Sequence, residues 1–320
     1  MQLKTIAVAT FALIAATAAF CAPSASQTEC AALYVTGHEL WSISGDGVAR
    51  LVARDERGIN TPRWSPSGRR IAYVRDFKFG GERVSDLVVI ESASGEAVAT
   101  IPINEDHGFN DVLQLGWRGE KRVWTEGHTT PSSGIYYEWD LATGKSMNEQ
   151  WGSWFAPSPA GEAVAHLAHV PHGAPRERAA AQVMVDDRVV FPTKGDERLH
   201  QITGGFAWSG RELAFVDRVN GEASVVSVDP VRGVVTKTLP FEETGAIERV
   251  DLGPDRRALV LRSAKGFSEA DLAAGRVRAL TDAPRALRPM RVDVEGRRLI
   301  EAPAAAPAKG TVVVEHLRCP

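Results

Sequence analysis

Three closely spaced histidines are the first candidates for chemistry in this sequence. His166, His169 and His172 follow one another at intervals of three residues. On a strand, residues three apart point to opposite faces, so His166 and His169 would not readily share a metal ion. His169 and His172 would meet only if the intervening loop reversed direction. We interpret these histidines as solvated or packed side chains, and we predict no metal site.

Catalytic motifs of fixed spacing are missing from the sequence. There is no Gly-x-Ser-x-Gly nucleophile elbow, and Gly152-Ser153 is only a fragment of one. The calcium-loop pattern and the glycine motifs that bind phosphates or dinucleotides are also missing. The sequence therefore predicts no catalytic residue and no cofactor. An enzyme whose site is assembled from scattered loop residues remains open, because such a site leaves no linear motif.

Two further segments carry side chains that suit binding. Residues 104–111 form an acidic cluster, which we interpret as a solvated loop, with a bound cation or a basic partner as the alternative. Trp151 and Trp154 precede an apolar strand. An exposed indole stacks on a sugar or a peptide, whereas a buried one packs between layers. The sequence favours packing for Trp154, with stacking left open, and favours it more strongly for Trp64, Trp117 and Trp208.

The strands that must position these side chains belong to a repeat. Its clearest unit reads Thr61-Pro-Arg-Trp64-Ser-Pro-Ser-Gly68 and continues into an apolar strand at Ile71–Val74. Weaker copies follow at intervals of 40–53 residues, the range expected for four-stranded propeller blades. We call the positions equivalent to Trp64 the anchors; they are Trp64, Trp117, Pro157, Trp208, Leu252 and Val292.

A turn after the third strand of each unit gives a second marker. It consists of an acidic residue, three further residues and a glycine, and copies begin at Glu91, Asp140, Asp229 and Asp271. The acid can accept hydrogen bonds from the turn backbone, and the glycine can adopt a positive φ. Two markers in the same order predict an all-β chain.

The segment Trp64-Ser-Pro-Ser-Gly68, followed by Ile71-Ala-Tyr-Val74, resembles the WD-like repeat of TolB-type β-propellers, whose usual form is Trp-Ser-Pro-Asp-Gly-x-x-Ile-Ala-Phe/Tyr. The resemblance covers nearly all of residues 30–320, with the tryptophan replaced at Pro157, Leu252 and Val292. It implies a single β-propeller domain of four-stranded blades over residues 27–320. The expected chain lacks the separate N-terminal α/β domain that TolB carries.

The first 26 residues predict export. Lys4 precedes an apolar run over residues 5–20, and small residues follow up to Ser26, which is the pattern of a secretory signal peptide. Lipid attachment at Cys21 is not expected, because Phe20 occupies a position that prefers a small residue. The run is also shorter than the ~20 residues of a membrane anchor. We expect a periplasmic or secreted mature chain without a transmembrane segment.

The two remaining cysteines lie at opposite ends of the mature chain. Cys30 and Cys319 are predicted to form a disulfide, since an exported protein folds under oxidising conditions. The strand at residues 30–36 is predicted to close the ring by pairing with the last strand, within residues 311–318. Six blades are expected; seven are the alternative, because the strands at 39–43 and 48–52 are left unassigned.

Loops that enter the innermost strands should gather around the mouth of the central channel. The last residues before these strands are therefore the predicted binding residues. They combine charge, amide and aromatic character, which suits recognition, although they would equally fill the channel. They are Asn60, Asp111, Trp154, Phe206, Glu248 and Arg288.

Composition narrows the function classes. With 37 basic and 40 acidic residues and a net charge of −3, the chain lacks the basic surface that nucleic-acid binding requires. With 44% hydrophobic residues, it is not a disordered chain. We predict an exported, monomeric, non-enzymatic propeller that binds a protein, peptide or envelope glycan over the face at the channel mouth. The alternative is a periplasmic lyase or hydrolase with its site in the central funnel.

Overall fold

The structure is a computed structural model that describes residues 30–44, 46–79, 82–103, 111–130, 133–168, 181–242, 247–252, 258–263, 265–281, 290–293, 295, 298–301 and 311–318. Regular structure in these ranges is entirely β, so the predicted all-β class is confirmed. No helix within the same ranges has the length and apolarity to cross a membrane. Residues 1–29, which contain the predicted signal peptide, lie outside the described residues.

The described residues form twenty-six strands. They are β1 (Ala31–Thr36), β2 (Glu39–Ile43), β3 (Ala49–Arg54), β4 (Asn60–Trp64), β5 (Arg70–Phe79), β6 (Glu82–Glu91), β7 (Ala97–Pro102), β8 (Asp111–Arg118), β9 (Arg122–Thr130), β10 (Ser133–Asp140), β11 (Ser146–Pro157), β12 (Val164–Ala168), β13 (Val183–Val185), β14 (Arg188–Phe191), β15 (His200–Ser209), β16 (Glu212–Val219), β17 (Glu222–Asp229), β18 (Val234–Phe241), β19 (Ile247–Leu252), β20 (Ala258–Ser263), β21 (Gly266–Asp271), β22 (Arg276–Leu280), β23 (Met290–Asp293), β24 (Arg298–Glu301), β25 (Thr311–Val313) and β26 (His316–Arg318).

Most strands pair with the next strand along the chain, as in a series of antiparallel meanders. The strand orders are β26–β1–β2–β3, β4–β5–β6–β7, β8 to β14 in chain order, β15–β16–β17–β18, β19–β20–β21–β22 and β24–β23–β25. Four-stranded sheets therefore recur in step with the repeat.

Strand β11 belongs to two meanders. Its first part, residues 146–152, pairs with β10, whereas residues 152–157 pair with β12. The seven-stranded sheet is therefore two four-stranded units that share this long strand. The change of partner falls at Gly152, which lies opposite both Gly134 and Ala168. The first strand of the second unit ends at Pro157, the anchor that the repeat assigns to this unit.

The two ends of the chain pair as predicted. Ala31 of β1 lies opposite Arg318 of β26. The expected single strand over residues 311–318, however, is wrong: β25 pairs with β23, and β26 pairs with β1. The unassigned segments at 39–43 and 48–52 complete this sheet as β2 and β3. Cys30 immediately precedes β1, and Cys319 lies outside the described residues.

The apolar core is divided into clusters that lie between successive sheets. One cluster joins β5, β6 and β7 to β8, β9 and β10, and another joins the strands from β12 to β14 to β15, β16 and β17. Further clusters join β16 and β17 to β20 and β21, β1 and β2 to β5 and β6, and β1 and β2 to β23. Sheets that bury side chains face to face in this way form the blades of a propeller.

The tryptophan anchors connect successive units, so the predicted packing role is confirmed for them. The indole Nε1 of Trp117 donates to the Arg63 carbonyl at 3.0 Å, and that of Trp208 donates to the Ala156 carbonyl at 2.8 Å. Both acceptors directly precede the anchor of the preceding unit. Trp64 packs on His316 of β26, with ring centroids 5.8 Å apart. Strand β26 therefore holds the same position in the β26–β1–β2–β3 sheet as the acceptor strands β4 and β11 hold in their own units.

The acidic turns are formed as predicted. In each copy the glycine N–H donates to the carbonyl of the acidic residue, at 2.8–2.9 Å, and the glycine φ lies between 64° and 77°. The carboxylates of Asp140, Asp229 and Asp271 accept backbone N–H groups of their own turns. Glu91 instead pairs with Arg70.

Candidate functional site

A cavity of about 570 Å³ lies where the first strands of five successive units converge. We call β4, β8, the second half of β11, β15 and β19 the inner strands. Strand β9 contributes one further side chain. The lining residues are Arg63, Gln114, Leu115, Trp124, Trp154, Phe155, Ala156, Gly204, Gly205, Phe206, Glu248, Arg249, Val250 and Asp251.

Three of the six predicted binding residues meet in this cavity: Trp154, Phe206 and Glu248. Asn60 lies at the exposed start of β4 and donates its amide N–H to Asp76 Oδ2 at 3.2 Å. The backbone of Asp111 begins β8 opposite His128, and its side chain is outside the described part of the structure, as is all of Arg288. Whether the three residues bind a ligand stays a prediction.

Each inner strand is interrupted by a β-bulge beside the cavity. The pairing register shifts between Asn60 and Arg63, between Ser153 and Ala156, and between Thr203 and Phe206. Strands β8 and β19 have the same irregularity, at 112–114 and 247–249. A bulge turns a side chain away from the regular alternation of the strand. The bulges therefore determine which side chains face the cavity.

The bulge in β11 exposes Trp154. This residue has φ = 59°, in the left-handed region that side chains other than glycine rarely adopt, and its side chain is 39% exposed. The preference for packing is wrong at this position, because the bulge turns the indole out of the strand alternation. Phe155, the next residue, is buried between Tyr136 and His166.

Glu126 stabilises this strained segment through hydrogen bonds to its backbone. Its carboxylate is buried and accepts the backbone N–H groups of Trp154 and Phe155. The second oxygen, Oε2, has no hydrogen-bond partner. Burial raises the pKa of Glu126 to about 7, although the two N–H groups oppose this shift. A carboxyl group that can hold or release a proton near neutral pH thus lies directly behind the cavity wall.

We expect Glu126→Gln to be more stable than the wild type at pH 8. The carboxyl pKa rises from 4.5 in the unfolded chain to about 7 in the fold, so the wild type loses up to about 3 kcal/mol as the pH increases through this interval. The glutamine variant lacks this loss. Urea unfolding at pH 5 and pH 8 measures the difference. The exposed Glu162→Gln is the control, and an unchanged pH profile in Glu126→Gln would contradict the assignment.

Charged groups of both signs surround the aromatic side chains. Arg63 donates from Nη1 to the Glu315 carbonyl at 2.7 Å, and burial lowers its pKa. Arg249 Nε contacts Asp251 Oδ1 at 2.8 Å, and burial raises the pKa of Asp251. Glu248 pairs with Arg262 at 3.3 Å where both are exposed. The cavity therefore offers donors, acceptors and stacking area from separate strands.

Sequence reasoning missed Arg63, Gln114, Arg249 and Asp251. A signal was available, because these residues lie one or three positions before an anchor. Three positions before four of the six anchors lie Gln114, Trp154, Gly205 and Arg249, all of which line the cavity; Thr61, three positions before Trp64, does not. His166, by contrast, is buried against Phe155, and burial lowers its pKa to about 4. Its interpretation as a packed side chain is confirmed, while His169 and His172 lie outside the described ranges.

Solved structures share this architecture. An oligogalacturonate lyase from Vibrio parahaemolyticus matches with a TM-score of 0.55 and 12% identity, over 76% of this chain and 70% of that chain. An acylaminoacyl peptidase from Pyrococcus horikoshii matches with a TM-score of 0.50 and 14% identity, over 82% of this chain and 46% of that chain. The present chain thus spans about half the length of the peptidase. At these identities the likeness concerns the fold alone, and the fold is a β-propeller.

TolB from Acinetobacter baumannii also matches, with 17% identity over 79% of this chain and 66% of that chain. A TM-score of 0.39 is too low to indicate a closer relationship. No family model and no curated protein sequence matches the chain. The TolB-type assignment therefore remains an interpretation of the repeat motif.

Proposed function

We propose that the protein is a binding propeller that holds a peptide segment or a glycan in the cavity at the inner strands. The observation that carries the proposal is the convergence of Trp154, Phe206 and Glu248 from three different strands on one cavity. An exposed indole provides a flat apolar surface for a sugar ring or a planar peptide group. Arginine, glutamine and carboxylate groups around it can fix the orientation of a polar ligand.

Replacing Trp154 with alanine tests this site. Ligands are first identified on glycan and peptide arrays, and their affinities are then measured by calorimetry. Loss of a stacking anchor is expected to weaken binding by about tenfold or more. Trp151→Ala is the matched control, because Trp151 lies on the same strand, is 46% exposed and does not line the cavity. If both variants bound the ligand with equal affinity, the binding site would lie on another face of the protein.

Catalysis in the same cavity is the alternative, and Glu126 is the observation that favours it. A buried carboxyl group with a pKa of about 7 has the property required of a general acid or base. Mass spectrometry of array ligands incubated with the protein would detect turnover. Products that form with the wild type and not with Glu126→Gln would replace the binding proposal with an enzymatic one.

We further propose that the mature protein is exported, monomeric and stapled by a Cys30–Cys319 disulfide. The pairing of Ala31 with Arg318 supports the staple, because the two cysteines adjoin these paired residues. Peptide mapping without reduction is expected to recover the two cysteine peptides as one linked species from envelope or secreted fractions. Two alkylated thiols, or an intact Met1 in the cytoplasm, would refute this part of the proposal.

A ring of seven units accounts best for the sheets. The supporting units are β26 with β1–β3, β4–β7, β8–β11, β11–β14, β15–β18, β19–β22 and β23–β25. Since β2 and β3 form a sheet with β26 and β1 that is separate from the β23–β25 sheet, we infer the seven-blade alternative rather than six blades.

A further inference from the structure

A second cavity of about 610 Å³ covers one face of the β15–β18 sheet. It extends from the segment after β14, which supplies Asp196 and Arg198, to Asp217 on β16 and Glu222 on β17. Phe191 and Val226 contribute apolar parts of its wall. None of the residues that line the inner-strand cavity lines this one, so the two cavities are separate.

A buried histidine hydrogen-bonds one of the carboxylates, Asp217, and lies close to a second, Asp196. His200 is 2% exposed. Its Nδ1 lies 2.7 Å from Asp217 Oδ2, and its Nε2 lies 3.3 Å from Asp196 Oδ2. Arg198 donates hydrogen bonds to Asp196 and holds the pKa of that carboxyl well below its usual range. The Asp196 charge is thus satisfied within the protein.

Asp217 is not satisfied in the same way. It is 5% exposed, and its Oδ1 has no hydrogen-bond partner. A carboxylate oxygen held away from water without a donor is costly, so such groups are normally paired. Because Asp217 lines the cavity, a ligand in the cavity is the available source of a donor.

The charge of the cavity specifies the sign of that ligand. Among the described residues that line the cavity, Asp196, Asp217 and Glu222 outnumber the one cation, Arg198, so the wall carries excess negative charge. Apolar side chains also line the cavity, including Val234, which is 42% exposed. The volume and the apolar wall suit an organic molecule rather than a bare ion.

We propose that this cavity binds an organic cation, with an ammonium or guanidinium group at Asp217 and Glu222 and an alkyl chain against Phe191 and Val226. Such a ligand supplies N–H donors and positive charge, and its chain covers the apolar wall. Ser224 and Thr193 add acceptors for its remaining N–H groups.

Calorimetry with agmatine, an alkyl chain with an amine and a guanidinium end, tests the proposal on the whole protein. Binding is expected at ligand concentrations up to about 10 mM, and the neutral 1,4-butanediol is expected not to bind. Asp217→Asn should weaken agmatine binding about tenfold or more. Since this change also removes the partner of His200, Glu222→Gln on the exposed rim is the second variant and should weaken binding severalfold.

Glu197→Gln is the matched control, because Glu197 is exposed, carries the same charge and does not line the cavity; it should leave the affinity unchanged. Three results would overturn the proposal: no binding of agmatine, equal binding of the diol, or equal weakening by all three variants. Binding of Ca²⁺ without binding of agmatine would also overturn it, in favour of a metal site.

Discussion

Replacing Glu138 with alanine is expected to lower the free energy of unfolding by about 3–5 kcal/mol. Glu138 is fully buried. It accepts hydrogen bonds from Arg118, from Arg122 at 2.8 Å and from the Tyr136 hydroxyl at 3.0 Å. The Arg118 side chain is only 4% exposed, so the substitution leaves a buried guanidinium without its carboxylate.

This network also joins the two meanders of the seven-stranded sheet. Arg118 donates one N–H to Glu138 and another to the Gly161 carbonyl, in the turn between β11 and β12. Urea unfolding measures the loss. Glu91→Ala is the control, because its pair with Arg70 is 33% and 40% exposed and such surface pairs contribute about 0–1 kcal/mol. Similar losses in the two variants would show that burial does not strengthen the Glu138 network.

Replacing Gly152 with alanine is expected to destabilise the fold by about 3 kcal/mol, at the upper end of overpacking effects. Gly152 lies where β11 changes partner, and an added Cβ would overlap the Leu167 carbonyl oxygen. It would also lie 2.7 Å from His166 Cδ2. Because the obstacle is backbone, rotation of a side chain cannot relieve it.

Gly210→Ala separates this steric effect from backbone strain. Gly210 has φ = 62° and nothing within 4 Å of an added Cβ, so its substitution carries only the left-handed backbone cost of about 1–2 kcal/mol. Thermal and urea unfolding of the two variants should rank Gly152→Ala as clearly less stable. The reverse order would mean that β11 adjusts readily at its change of partner.

The strands and their order were predictable because each unit repeats the same local chemistry. The acidic turns at Asp140, Asp229 and Asp271 form from hydrogen bonds within five residues, so the sequence marks them directly. The division of residues 311–318 between two sheets was not predictable in this way. It depends on pairing with β1, more than 270 residues earlier, which no local pattern encodes.

The site was only half predictable, and the bulges explain why. Regular alternation along a strand cannot say which residue beside a bulge turns inward, so Trp154 and Phe206 were identified while Gln114 and Arg249 were missed. Alignment on the anchors would have improved the result, since every register shift of the inner strands falls within the five residues before its anchor. The second cavity had no sequence signal, because Asp196, Asp217 and Glu222 belong to separate turns and strands.

The bulges have a consequence for how such a protein can diversify. They turn side chains of the inner strands toward the cavity, whereas the anchor hydrogen bonds of Trp117 and Trp208 end on backbone carbonyls and so do not depend on which side chain faces the cavity. Under the proposed binding function, substitutions at Gln114, Trp154 or Arg249 are therefore expected to change ligand preference one unit at a time while the contacts between units persist. For protein engineering, these three positions are therefore the ones to vary when ligand specificity is to be altered and the scaffold is to be kept.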